Sequence, residues 1–143
     1  MKETSFRVLQ VLLLLICASH LVLGLGINLI PSFPETAASW YGAKNIDWTP
    51  QFTYILRPVG AYMIVMGMLA AVAATNPRKH TIIVFGIATL LLIRAAQRLV
   101  FQEDIAAAFD IGTMRNTTNM IFFGAMGAGL FVLRVVAGGK PSS

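Results

Sequence analysis

Long apolar stretches separated by short polar connections dominate the chain. Four of these stretches can each cross a hydrocarbon layer of about 30 Å, which takes roughly 20 helical residues. They lie near residues 7–30, 52–75, 81–101 and 118–137. None alternates apolar and polar residues as a membrane-spanning β-strand does. The pattern therefore predicts an all-α integral membrane protein, a four-helix bundle forming a single domain over residues 1–143.

Two connections carry strong local signals. The first is rich in aromatic residues, which suit the headgroup layer of a membrane, and its segment Pro34–Tyr41 predicts a short interfacial helix. The last, Arg115-Asn116-Thr117-Thr118, predicts a cap at the start of the fourth span, although Asn116-Thr117-Thr118 also matches a glycosylation acceptor.

The first span has a second interpretation, because Lys2 and Arg7 before an apolar run resemble a signal peptide. We expect a retained helix, since the apolar sequence continues to Ile30.

Composition agrees with a membrane protein. Hydrophobic residues make up 57% of the chain and charged residues only 12%, whereas a soluble domain has about a quarter charged residues. The lone Cys17 excludes an internal disulfide. The net charge of +5 does not indicate a nucleic-acid partner, because membrane proteins concentrate Lys and Arg in cytoplasmic loops. The expected surroundings are membrane lipids and other membrane-protein subunits.

The charges also predict an orientation. With four spans, both termini and the second connection share one side of the membrane. That side carries six basic residues and one acid: Lys2, Arg7, Arg78, Lys79, Arg134, Lys140 and Glu3. The opposite connections carry five acids and two bases: Glu35, Asp47, Glu103, Asp104, Asp110, Lys44 and Arg115. The positive-inside rule then places both termini in the cytoplasm, and we expect a multi-pass protein of the bacterial inner membrane.

Three arginines, Arg57, Arg94 and Arg98, fall inside the predicted spans. An ionised side chain there costs at least about 2.5 kcal/mol, so it faces a bundle interior or extends to an interface. One reading is that all three reach lipid phosphates or the outer acids and only fix helix depth. Another is a pocket for an anionic, quinone-like or lipid headgroup, and a third is contact with a partner chain. The residues of this candidate cluster are Arg57, Arg94, Gln97, Arg98, Glu103 and Asp104.

His20 is the other ionisable residue within a span. An imidazole there can ligate haem iron or a pigment metal. The alternative is a neutral side chain that hydrogen-bonds to Tyr62, Thr89 or a backbone carbonyl, and it is favoured because the only other histidine, His80, lies in a connection. The sequence shows no metal-binding cluster, no nucleophile beside a base and no acid inside a span.

Small residues at helical spacing predict where helices approach closely. Gly67 and Ala71 are four apart in the second span, and Gly124 and Ala128 have the same spacing in the fourth. Such faces hold helices together either within the bundle or between subunits. Internal packing is the simpler reading for a chain of this length.

The second span resembles a known family. Leu56-Arg57-Pro58-Val59-Gly60-Ala61-Tyr62, then Met66-Gly67-Met68-Leu69 and the turn Asn76-Pro77-Arg78, are similar to the small four-helix membrane proteins called DoxX-like. The resemblance extends over most of the chain. It implies a four-helix bundle and an association with quinone-linked sulfur oxidation or larger redox assemblies, with Arg57 at the position of the family's arginine.

These features together predict a role without chemistry of its own. We expect a non-catalytic accessory or structural subunit of a larger membrane complex that handles electrons, quinone or pigments. The alternative is a quinone-binding subunit of a membrane oxidoreductase, with Arg57 and Arg94 as donors to ligand oxygens. A small transporter is less favoured, because no broken helix or midplane carboxylate marks a transport site.

Overall fold

A computed structural model describes residues 2–137 of the chain. Six α-helices form within this range: α1 (Lys2–Leu29), α2 (Phe33–Trp40), α3 (Pro50–Thr75), α4 (Thr81–Val100), α5 (Gln102–Phe109) and α6 (Thr113–Ala137). By length and composition, α1, α3, α4 and α6 can each cross a membrane. The all-α fold and the four predicted spans are therefore confirmed. Lys140, part of the basic count above, lies outside the described residues.

Local chemistry explains most of the helix ends. The side chain of Thr49 caps α3 by accepting a hydrogen bond from the Phe52 N–H at 3.1 Å, and Pro50 occupies the first helical position, where no N–H is needed. The short helix predicted in the first connection forms as α2. Helix α6 begins at Thr113 rather than after a cap at residues 115–118, so Asn116 lies inside the helix.

Helix α5 has no counterpart among the predicted elements. It follows α4 after the single residue Phe101 and ends at Phe109, and its C-cap residue Asp110 has a left-handed φ of 49°. Glu103 and Asp104 stand in its first turn, where negative charge stabilises a helix through its dipole. An apolar run that continues to Phe101 hides this boundary in the sequence, because neither Gly nor Pro marks it.

The four long helices form two closely packed pairs. Helix α1 packs along α3 and α4 along α6, α1 also contacts α6, and α3 and α4 touch only slightly. The buried core is mainly aliphatic, and its fully buried members include Leu9, Leu13, Ala70, Ala73, Val84, Ala88 and Leu130. The slight contact between α3 and α4 leaves a seam on that side of the bundle.

Hydrogen bonds between elements show which helix ends lie together. The Gln10 amide donates to the Ala74 carbonyl at 2.9 Å, and Arg134 Nε donates to Thr81 Oγ1 at 3.1 Å. The start of α1, the α3–α4 turn and the end of α6 therefore share one end, here called the turn end. At the opposite end, here called the loop end, the Lys44 N–H donates to the Phe109 carbonyl at 2.8 Å. The helices thus alternate in direction.

Large apolar side chains cover the outside of the long helices. Examples more than half exposed are Leu15, Val65, Ile82, Ile121 and Val132. A soluble protein rarely exposes so continuous an apolar surface. The bundle is therefore built to contact lipid along its spans.

Candidate functional site

A cavity of about 460 Å³ lies at the loop end, between the α1–α3 pair and α4. Its walls are mainly apolar, and the long helices contribute Leu23, Ile27, Phe52, Leu56 and Met63. Helix α2, the connection after it, helix α5 and the connection before α6 contribute further apolar lining: Pro34, Ala37, Ala38, Ala43, Ile46, Ile105, Phe109 and Ile111. Volumes of 300–1,000 Å³ with such walls are typical of sites for small molecules.

One polar strip lines this cavity, and it comes from α4. Arg94, Gln97 and Arg98 all face the cavity, because residues three and four apart lie on the same side of a helix. Tyr41 and Trp48 add aromatic rings with polar tips. The sequence therefore brings two cations and one amide together against an otherwise oily wall.

Arg94 is the least compensated charge in the cavity. Its guanidinium carbon lies 4.3 Å from the centroid of the Phe123 ring on α6. The one ion pair found within residues 2–137 joins Arg7 to Glu3 on the exposed surface of α1, so no described carboxylate pairs with Arg94. No described acceptor takes a hydrogen bond from it either. The N–H groups of Arg94 are thus available to a bound molecule.

Arg98 is held by a neutral partner. Its Nη1 donates to Asn116 Oδ1 at 2.8 Å, and Asn116 Nδ2 donates back to the Arg98 carbonyl at 2.9 Å. Asn116 is only 3% exposed. The Arg98 guanidinium carbon also lies 5.8 Å from the centroid of the Tyr41 ring. These contacts orient the guanidinium without neutralising its charge.

His20 is buried nearby, with 8% of its surface exposed. Its Nδ1 lies 2.9 Å from the Ile16 carbonyl oxygen, and since a carbonyl only accepts, Nδ1 carries the proton. This is the backbone partner that one reading of the sequence named. His80, the N-cap residue of α4, lies at the turn end. Among the described residues, no three His, Cys, Asp or Glu side chains come together as a metal site.

The other members of the predicted cluster lie elsewhere. Arg57 is exposed on α3 and lines a separate open pocket with Trp48, Pro50, Thr53 and Tyr54. Glu103 and Asp104 line a surface pocket with Leu99, Val100 and Gln102. The structure thus brings Arg94, Gln97 and Arg98 together and separates Arg57 and the two acids from them.

Glycines occur at several close contacts between helices. A Cβ added to Gly67 would lie 2.8 Å from Leu21 Cγ on α1, and one added to Gly127 would lie 2.9 Å from the Ala88 carbonyl oxygen on α4. Gly124 has ordinary spacing, with Ala95 Cβ at 3.7 Å. Of the two alanines in the predicted faces, Ala71 is half-buried and Ala128 is exposed.

Four residues that matter here were not singled out for this role from the sequence. Tyr41 and Phe123 place rings beside the arginines, Asn116 holds Arg98, and Gly127 allows α6 to approach α4. Each is recognised only through a neighbour far away in the chain. Of these four residues, only Asn116 has a feature in the sequence that draws attention to it, because it is a polar residue at the edge of a span.

Comparison of the chain with protein-family models, with curated proteins and with solved structures finds none that matches. The class of protein is therefore defined by the fold and the cavity described above. The chain is a helical bundle with four candidate membrane spans and a cationic, mainly apolar cavity at its loop end.

Proposed function

We propose that this chain is a quinone-binding subunit of a membrane redox complex, without catalytic groups of its own. The observation that carries the proposal is the cavity in which Arg94, Gln97 and Arg98 face an apolar wall. Arg94 has no described hydrogen-bond acceptor, so a ligand oxygen is the partner that its position lacks. Arg94 is half-buried, and a guanidinium beside an apolar wall is stabilised by a charge-assisted hydrogen bond to a ligand oxygen.

The chemistry of a quinone matches this lining. A quinone offers carbonyl oxygens that only accept hydrogen bonds, on a flat apolar ring with an apolar tail. Arg94 and Gln97 supply donors for the oxygens, while the rings of Tyr41, Trp48 and Phe52 suit the face of the headgroup. When bound, a quinone carries electrons, and a nearby guanidinium stabilises negative charge that develops on its oxygens.

The seam between α3 and α4 supports access from the membrane. These two helices touch only slightly, and the cavity is lined by Leu56 and Met63 of α3 together with Arg94 and Gln97 of α4. A ligand dissolved in the hydrocarbon layer reaches the cavity between them without crossing the polar loops. The apolar residues of α1 and α3 suit the ligand's tail.

Fluorescence of Trp48 tests the proposal directly. The chain has two tryptophans, and W40F leaves only Trp48, which lines the cavity. We expect a short-tailed benzoquinone to quench Trp48 saturably in detergent micelles. R94L should weaken binding by about tenfold or more, the effect of losing one charge-assisted hydrogen bond. R57L is the matched control and should bind normally. Quenching that does not saturate, or that is unchanged in R94L, contradicts the proposal.

The DoxX-like relationship is also a proposal. It rests on the segment Leu56–Tyr62 and on the turn Asn76-Pro77-Arg78. Since Arg57 lines a different pocket from Arg94, the proposed quinone site depends on α4 and not on the arginine that the resemblance singles out. A pigment or haem at His20 gains no comparable support, because His20 is absent from the residues that line the cavity.

A second candidate function is that of a purely structural accessory subunit. It is favoured by small residues on the outside of the bundle: Ala128 and Gly86 are exposed, and a Cβ added to Gly86 or Gly129 meets nothing within 4 Å. Small outward-facing residues allow another membrane helix to approach closely. G86W should release a co-purifying membrane chain, whereas V65W, at an exposed position on α3, should retain it. A stable solitary monomer in mild detergent counts against this role.

A further inference from the structure

Arg57 forms a second site that the quinone proposal does not use. It is an exposed cation within the span of α3. Its side chain lines an open pocket of about 440 Å³ together with Trp48, Pro50, Thr53 and Tyr54. Trp48 alone is shared with the Arg94 cavity. No described residue accepts a hydrogen bond from Arg57 or forms an ion pair with it.

The position of Arg57 along α3 places its charge near the membrane interface. Arg57 lies seven positions after Pro50, the first residue of α3, which corresponds to about 10 Å at 1.5 Å per residue. Long side chains in a helix point toward its N-terminus and extend to the interface. The pocket contains Pro50 and Thr53, so the Arg57 side chain borders the first turns of α3, at the loop end.

The pocket offers hydrogen-bond donors and no acid. Guanidinium, indole and phenol groups come from Arg57, Trp48 and Tyr54, and no carboxylate lines the pocket. The first turn of α3 is capped from within the chain, because Thr49 Oγ1 accepts from the Phe52 N–H. The available attraction for an anion is therefore the Arg57 side chain. Trp and Tyr are also the side chains that favour the headgroup layer.

We propose that this pocket binds the phosphodiester of a membrane phospholipid. Arg57 forms paired hydrogen bonds to the phosphate oxygens, a geometry that suits its planar guanidinium. Trp48 and Tyr54 contact the glycerol and headgroup beside it. This site is independent of the quinone proposal, because its cation lies outside the Arg94 cavity.

A lipid titration of the full-length protein in detergent micelles tests the site. In the W40F background, phosphatidylglycerol should change the Trp48 fluorescence saturably. R57L should weaken this binding by about tenfold or more, the value of one charge-assisted pair. R57Q, which keeps a polar side chain, should show the same loss. R94L should bind the lipid normally while losing quinone, so the two proposals fail independently.

Two further ligands separate the sources of the response. Diacylglycerol with the same acyl chains lacks the phosphate and should not bind. Inorganic phosphate lacks the lipid and should not reproduce the response. Lipid binding that is equal in the wild type and R57L overturns the proposal, as does equal binding of diacylglycerol. An equal response to inorganic phosphate overturns the assignment to a lipid.

Discussion

Arg98 and Asn116 exchange two hydrogen bonds across the contact between α4 and α6. The guanidinium donates to the amide oxygen at 2.8 Å, and the amide nitrogen donates to the Arg98 carbonyl at 2.9 Å. Because the partner is neutral, Arg98 keeps its positive charge in the cavity wall. The pair therefore fixes the position of a cation that remains available to attract a ligand.

Replacing the amide of Asn116 should destabilise the bundle. N116L leaves the half-buried Arg98 without its acceptor and is expected to lower the free energy of unfolding by about 1–3 kcal/mol. Thermal unfolding in detergent measures the loss. N116D still accepts from the Arg98 guanidinium but cannot donate to the Arg98 carbonyl, so its stability should lie between those of N116L and the wild type. Equal stability of N116L and the wild type would show that the reciprocal pair contributes nothing.

The contact between Arg94 and Phe123 should show measurable coupling. The guanidinium carbon lies 4.3 Å from the ring centroid, and such cation–π contacts are worth about 0.5–2 kcal/mol. A double-mutant cycle of R94L and F123L, followed by unfolding in detergent, isolates that value. The matched cycle combines R94L with F131L. Phe131 of α6 packs against the Phe85 ring, and no cation–π contact with an arginine is found at Phe131 among the described residues. Coupling that is equal in both cycles would contradict a specific contact.

Substitution of three glycines on α6 should give three different results. G127A places a methyl group 2.9 Å from the Ala88 carbonyl oxygen, and overpacking against backbone costs about 1–3 kcal/mol. G124A meets only Ala95 at 3.7 Å and should be tolerated. G129A meets nothing within 4 Å and should gain up to about 1 kcal/mol from helix propensity. Unfolding midpoints rank the variants, and a G127A protein as stable as G129A would refute the close contact.

The sequence predicts the fold well because span length depends on local composition alone. The four long helices occur where the apolar runs predict them, and α2 forms near Pro34. Helix α5 was missed because no breaker separates it from α4. The start of α6 lies earlier than expected, since Thr113 begins the helix without a cap signal that distinguishes it from residues 115–118.

The candidate site could be predicted only in part, for a geometric reason. The spacing of Arg94, Gln97 and Arg98 places them on one face of one helix, and in the structure they line one cavity. Whether Arg57 joins them depends on how α3 is rotated against α4, which no local pattern fixes. The same limit applies to glycines: Gly124 and Gly127 are both present in the sequence, and packing alone selects Gly127 for the close contact.

Labelling of introduced cysteines should determine the orientation of the bundle. The turn end carries Arg78, Lys79 and Arg134, so we expect it to face the cytoplasm. In a C17S background, S39C at the loop end should react with a membrane-impermeant maleimide on intact cells. T75C at the turn end should react only after the membrane is broken. Ser39 and Thr75 are both exposed and uncharged, so neither substitution disturbs the charge balance that sets orientation. The opposite labelling pattern would place Arg57 and Arg94 in the cytoplasmic half of the membrane, and both proposed ligands would then be drawn from that side.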